Sequence, residues 1–344
     1  MKQLRLLYSL LRVLAPAPVA RHLPAGSPRA VSGRVADPKA QAVADLVAQL
    51  RDPDALPSVA ESRAQLAMFV RKFDRPGPRT VTRQALQLAG AAGPRAARLY
   101  TPRGRGEGAP TLLYFHGGGW IQGSLDTHDA VCAKLADRAG LRVISYDYRL
   151  APEAPFPAAP DDILAAYLQL TDPAGPHRLD PARLAVGGDS AGGNLAASLL
   201  HSLSAAGAPL PAAQLLIYPG VDARLTSQSM ADLRDDPLLS STRIAWYLDH
   251  YLPPGQDRCA PRVSPLFSPH LAGQPPALVI AAGQDPLWDD GRSYAEALRT
   301  AGVDTDLLTY PGQLHGFLNL TRVIPEGEDA ISRAADWLKE RFGI

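Results

Sequence analysis

Cysteine is scarce in this chain of 344 residues: there are two, Cys132 and Cys259, far apart and in no zinc or redox spacing. Neither a disulfide nor a metal site is therefore expected. An excess of one charge is also missing, with 35 basic and 34 acidic residues giving a formal net charge of +1. That balance excludes the electrostatic footprint of a nucleic-acid binder and a polybasic membrane patch. No apolar run approaches the roughly 18 residues a membrane span requires. Disorder is excluded from the other side, because 46% of the residues are hydrophobic and only 20% charged. What remains is a globular chain long enough to bury a large core without disulfides or metals. Its length suits two units, or one large α/β domain with an addition.

The first 20 residues carry Lys2 and Arg5 ahead of the apolar stretch Leu6 to Leu11, and Ala15-Pro16-Ala17 loosely resembles a signal-peptidase site. Arg12 interrupts the hydrophobic region a leader needs, which runs for about 7–15 residues. Leu4, Leu7, Tyr8 and Leu11 recur at helical spacing, so an amphipathic surface helix is the plainer reading. A cytoplasmic location is expected on that reading, and a secreted or periplasmic one on the leader reading.

Residues 1–80 hold nine prolines and no convincing strand, but two helices are marked. Asp37-Pro38 is an N-cap followed by proline at the first helical position; Val43, Leu46, Val47 and Leu50 form one face, and Asp52-Pro53 is a stop. Ser58 and Glu61 make a capping box ahead of Leu66, Phe69, Val70 and Phe73. Both helices have a face to bury and no sheet of their own, so they are expected to lie on the rest of the chain as a helical cap. From residue 81 the pattern changes to β-prone runs at Thr111–Phe115, Arg142–Tyr146, Arg183–Val186, Gln214–Tyr218, Ala277–Ala281 and Asp306–Tyr310. Residues 82–89 and 95–100 could add antiparallel strands at the start. Helical stretches at Ala130–Arg138, Asp161–Leu170, Gly193–Ser204 and Tyr294–Ala301 alternate with most of these runs. Alternation of this kind predicts an α/β fold with a mostly parallel sheet flanked by helices. Residues 220–272 break the rhythm, with only a helix at Ser241–Tyr251 and a proline-rich tail. An insertion that long between strands reads as a second cap segment.

Chemistry is concentrated in Gly188-Asp189-Ser190-Ala191-Gly192, which closes a predicted strand and opens a predicted helix. A serine hydroxyl attacks only when exposed, oriented and hydrogen-bonded to a base. A sharp strand-to-helix turn exposes it, and glycine is needed two positions either side. His116-Gly117-Gly118-Gly119-Trp120 follows the strand Thr111–Phe115. Acyl transfer places negative charge on the substrate oxygen, and preformed backbone N–H donors on such a loop stabilise it. The oxyanion hole is assigned to Ala191 N–H with two of Gly117, Gly118 and Gly119, the last two favoured. His116 reads as structural. Trp120 is core or a wall of the acyl pocket.

The base must lie beyond the serine. His201 is too deep in the following helix, and His250 and His270 fall at the surface of the insertion. His315, in the turn-rich Tyr310–Phe317, is the candidate. Asp285 follows the strand Ala277–Ala281 at its carboxyl end, where open α/β sheets build sites. Asp289 and Asp290 are rivals, placed where a carboxylate more often caps a helix start. The order Ser190, Asp285, His315 is that of α/β hydrolases.

With these residues in hand, the chain resembles the hormone-sensitive-lipase-like family of α/β hydrolases, the bacterial family IV esterases, over roughly residues 80–344. His116–Trp120, Gly188–Asn194, Asp285-Pro286-Leu287 and His315-Gly316-Phe317 match its motifs in order, as does Asp147–Glu153 with Phe156-Pro157 and Asp161-Asp162 after it. Arg149 and Glu153 are expected to pair within their loop. The resemblance implies a helical cap from residues 1–80 and 220–272 on a catalytic domain of residues 81–344. It implies hydrolysis of short- to medium-chain acyl esters without a cofactor, with Trp120, Asp189 and Trp288 as candidate substrate contacts. It also allows a homodimer through an edge strand or cap helix. Trp288 and Gln313-Leu314 depart from the commoner pattern without touching the proposed triad. An amidase or arylacetamide-deacetylase-like activity is the main rival, and a non-catalytic small-molecule receptor the distant one, disfavoured by His315 in full context. The near-zero charge suits an uncharged ester as substrate.

Overall fold

The computed structural model describes residues 2–23, 27–51 and 55–344. The chain opens with helices α1 (Lys2–Leu14) and α2 (Ala17–Ala20), a hairpin of β1 (Ala30–Val31) and β2 (Arg34–Val35), then α3 (Pro38–Leu50) and α4 (Val59–Phe73). Both predicted helix starts form: Asp37 accepts from Lys39 N–H at 2.8 Å, and Ser58 and Glu61 close a capping box. The stop expected at Asp52-Pro53 lies outside the described residues. The hairpin was not expected. Its signal was Ser32-Gly33, both at positive φ (45° and 77°), which is the demand of a tight hairpin turn.

Helix α1 corrects a second expectation. It is a surface helix, but Leu4, Leu7 and Leu11 face outward at 71%, 62% and 55% exposure. A different apolar face, Leu6, Leu10 and Val13, packs on the core, and polar contacts accompany it: Arg12 pairs with Asp45 at 2.5 Å, and buried Lys39 donates to the Val13 and Ala15 carbonyls at the helix end.

The main sheet has eight strands: β3 (Thr82–Leu88), β4 (Arg95–Thr101), β5 (Thr111–Phe115), β6 (Arg142–Tyr146), β7 (Leu184–Asp189), β8 (Ala213–Ile217), β9 (Ala277–Gln284) and β10 (Thr305–Leu314). Across the sheet they run 3-4-6-5-7-8-9-10. Strands β3 and β4 are antiparallel to each other, β4 is antiparallel to β6, and the rest are parallel. The interior parallel strands β5 to β9 are buried along their whole length, which is why they read as largely apolar runs. Edge strand β3 is mostly exposed and polar.

Helices α5 (Asp129–Ala139), α6 (Ala158–Thr171) and α7 (Ala191–Ala205) follow their strands; α8 (Gln228–Asp232) and α9 (Ser241–Tyr251) lie between β8 and β9, and α10 (Trp288–Thr300) and α11 (Glu326–Phe342) complete the chain. Alternation within a strand sorts the core into two layers. Leu113 and Phe115 pack with Ile163 of α6, Leu195 of α7 and Leu298 of α10; Leu112 and Tyr114 pack with Val131 of α5 and Ile331 of α11.

The Arg149–Glu153 pair does not form. Arg149 instead binds fully buried Asp162 with two bonds of 2.8 Å, and Glu153 pairs with Arg63 of α4 at 2.7 Å. A buried carboxylate without a partner is the costlier group, so it takes the nearby guanidinium. Among the described residues no helix is long and apolar enough to cross a membrane.

Candidate active site

Parallel register decides which loops meet. Phe115, the last residue of β5, lies beside Gly188 of β7, so the glycine loop and the Ser190 turn emerge together. Likewise Leu314 of β10 lies beside Gln284 of β9, so the next residue of each strand, His315 and Asp285, emerge together. Four strand ends thus converge at one edge of the sheet.

Ser190 occupies a strained turn at φ 55° and ψ −118°, a region side chains rarely adopt. A Cβ at Gly188 or Gly192 would collide with the Phe115 carbonyl, so only glycine lets β5 approach this turn. The hydroxyl Oγ lies 2.9 Å from His315 Nε2, and His315 Nδ1 lies 2.7 Å from Asp285 Oδ2. An ionised carboxylate can only accept, so Nδ1 carries the proton and Nε2 is left to accept from the serine. Asp285 is fully buried, and its other oxygen accepts from Leu287 N–H at 2.8 Å. Its rivals lie elsewhere. Asp289 accepts from Ser229 N–H, and Asp290 from the N–H groups of Val221 and Asp222. His201 bonds to Ser268 and His250 to the Trp246 carbonyl.

The glycine loop is held from below. Gly117 N–H donates to Asp189 Oδ1 at 2.9 Å, so this N–H is engaged beneath the loop. Asp189 also accepts from Tyr114 OH at 2.8 Å and from His128 Nε2 at 3.2 Å. Burial works to raise the Asp189 carboxyl, but His128 and the hydrogen bonds outweigh it and hold the group below its ordinary range. This carboxylate lies on the cavity lining, with its oxygens engaged by Tyr114, Gly117 and His128. His116 is buried beside His128, and burial with that neighbour depresses it to about 4, so it stays neutral and holds the loop.

These groups open on a cavity of about 450 Å³. Its floor includes Ser190, His315 and the glycine loop; α3 supplies Val47 and Leu50, α4 supplies Leu66 and Phe69, and α9 supplies Ile244 and Tyr247. Trp120 is on the lining, at φ 61° with its ring stacked on Tyr251 at 4.6 Å. Trp288 is not on the lining; the guanidinium groups of Arg34 and Arg292 lie over its ring at 4.9 and 5.3 Å. Reading the sequence missed His128, Tyr114 and Tyr247. Tyr247 packs so closely that a Cβ on Gly119 would come within 2.5 Å of its ring. Nothing in their local pattern marks them. Among the described residues no cluster of side chains could hold a metal ion.

A parallel-rich sheet with these strand-end loops defines the α/β-hydrolase class of enzyme. A family model described as alpha/beta hydrolase fold matches residues 112–319. The chain is 40% identical over 319 residues to the carboxylic ester hydrolase LipN of Mycobacterium tuberculosis, covering 89% of this chain and 83% of that one. It is 40% identical over 232 residues to an ethyl acetate hydrolase of Pseudomonas putida, covering 67% and 73%. Among solved structures, the ester-hydrolase EH1AB1 from the metagenome of Lake Arreo superposes with a TM-score of 0.85 at 39% identity, over 89% of this chain and 99% of that one. The chain belongs to the α/β-hydrolase-fold family, in its hormone-sensitive-lipase-like branch of esterases. It is an enzyme of that class.

Proposed function

We propose that the chain is a serine carboxylesterase that cleaves short- to medium-chain acyl esters in two steps. The observation that carries this reading is the unbroken relay from Asp285 through His315 to Ser190 on a largely apolar cavity. His315, its tautomer fixed by Asp285, takes the Ser190 proton as Oγ attacks the ester carbonyl. The carbonyl oxygen becomes an oxyanion and accepts from the N–H groups of Gly118, Gly119 and Ala191, the last at the start of α7. Protonated His315 then gives its proton to the departing alcohol. Water activated by the same histidine attacks the acyl-enzyme and releases the acid. No group beyond these residues is called on.

Residues 1–80 and 220–272 serve as the cap, because α3, α4 and α9 supply the apolar walls above the serine. Trp120 and Tyr247 shape the acyl end nearest the glycine loop. Relatives named as ester hydrolases support esters as the substrate class.

The test is hydrolysis of p-nitrophenyl butyrate by Ser190→Ala. A loss of roughly 10⁵- to 10⁶-fold with an unchanged melting curve is expected, by analogy with removal of other serine nucleophiles. Full activity in that variant sinks the reading. Matched anilides run beside the esters decide between esterase and amidase.

A further inference from the structure

The cavity carries a charge that ester cleavage does not use. Arg243 lies on α9 one turn before Tyr247, whose ring packs on Gly119 of the glycine loop. It lines the cavity yet is only 8% exposed. Among the described residues its guanidinium has no carboxylate partner. Its side-chain hydrogen bond is from Nη2 to Ser62 Oγ at 2.7 Å, while Nε is buried with no acceptor. The rings of Trp246 and Tyr247 lie 4.6 and 5.3 Å from it and supply partial compensation. Arg51, at the end of α3, is a second arginine on the lining, and its Nη1 donates to the carbonyls of Pro237 and Leu238.

Carboxyl groups on the lining do not cancel this charge. Asp189 is taken by His128, Tyr114 and Gly117, and Asp222 pairs with Arg224 at 2.7 Å. Asp290 is buried, which pushes its carboxyl up to about 8 and leaves it largely neutral at pH 7. The cavity is therefore positive on the side where α9 meets α3 and α4. Burying a cation without an anion is costly unless an anion arrives.

We propose that Arg243, with Arg51 beside it, forms an anion subsite, and that the preferred substrates are esters bearing a carboxylate away from the scissile bond. This rests on the esterase reading and reverses the expectation of an uncharged substrate, because net charge over the whole chain does not report the charge inside one cavity. A carboxylate there accepts from the planar guanidinium in the geometry it fits best. The Ser62 hydroxyl then holds Arg243 in place, and the Ser62–Gln122–Tyr247 hydrogen bonds join this end of the cavity to the glycine loop.

The experiment compares kcat/KM for mono-p-nitrophenyl glutarate and adipate with the uncharged p-nitrophenyl valerate and hexanoate. The native enzyme is expected to favour the acids by about tenfold or more, the scale of one charge-assisted hydrogen bond. Arg243→Gln should remove that preference, and Arg243→Lys should keep part of it. The ratio is internal to each variant, so partial loss of folded protein cancels. Turnover of the neutral esters with no preference for the acids, and no change of ratio in Arg243→Gln, overturns the subsite and leaves the esterase reading standing. No turnover of either set fails that reading, and the subsite is then decided by binding. Monomethyl glutarate should raise the melting temperature of Ser190→Ala more than methyl valerate does; equal shifts overturn the subsite.

Discussion

His315 bridges two residues that lie 125 and 30 positions from it in sequence, and in the proposed mechanism each contact has a separate chemical purpose. The bond to Asp285 fixes which nitrogen carries the proton, and the bond to Ser190 uses the nitrogen left free. Asp285→Asn keeps the shape but lets an amide N–H face Nδ1, which favours the wrong tautomer. A fall in kcat of about 10⁴-fold on p-nitrophenyl butyrate is expected, with little change in melting temperature. A loss below tenfold transfers the role to another carboxylate. That these three side chains meet was legible because each stands where a strand ends in a turn whose glycines or prolines show in the sequence. His128, Tyr247 and Arg243 were not. They reach the site from helix and loop positions whose neighbours carry no pattern, and only the packing of α9 and of the loop before α5 brings them near.

At the scale of elements, two buried parallel strands were legible to the residue, Thr111–Phe115 and Arg142–Tyr146, while β7 and β9 each run three residues past their expected ends at Val186 and Ala281. Such strands are apolar on both faces, so their limits coincide with changes in composition. Helix α1 shows what periodicity leaves out. Its Leu4–Leu7–Leu11 stripe is a true helical pattern, but the face that packs on the core is Leu6, Leu10 and Val13, with Arg12–Asp45 and the Lys39 cap beside it. Likewise Arg149 chose Asp162 over Glu153 because burial, which sequence spacing does not record, made Asp162 the needier partner. Asp290 connects α10 to the 220–272 segment through two backbone bonds, and burial lifts its carboxyl to about 8 from an ordinary 3.8. Between those values the unfolded chain gives up a proton that the folded chain keeps, so this group makes stability fall as pH rises from about 4 to about 8. Asp290→Asn keeps an acceptor for both N–H groups and removes the titration. Its melting temperature relative to the native enzyme should therefore be higher at pH 8 than at pH 5; the same difference at both pH values contradicts the assignment.

For the molecule as a whole, in the proposed mechanism the carboxyl ends of the strands gather the reactive groups, with the segments outside the alternating pattern as their cap. The two clusters of prolines that first marked residues 1–80 and 220–272 as different also mark the helices that line the cavity. On this reading one serine in the whole chain is made nucleophilic, and the relay behind it is the cause. Treatment of the native enzyme with a small p-nitrophenyl phosphonate ester, followed by peptide mass spectrometry, tests that claim most directly. One equivalent of phosphonyl group on Ser190, absent in His315→Ala, is the predicted result. Labelling spread over other serines, or equal labelling of Ser190 without His315, would contradict it.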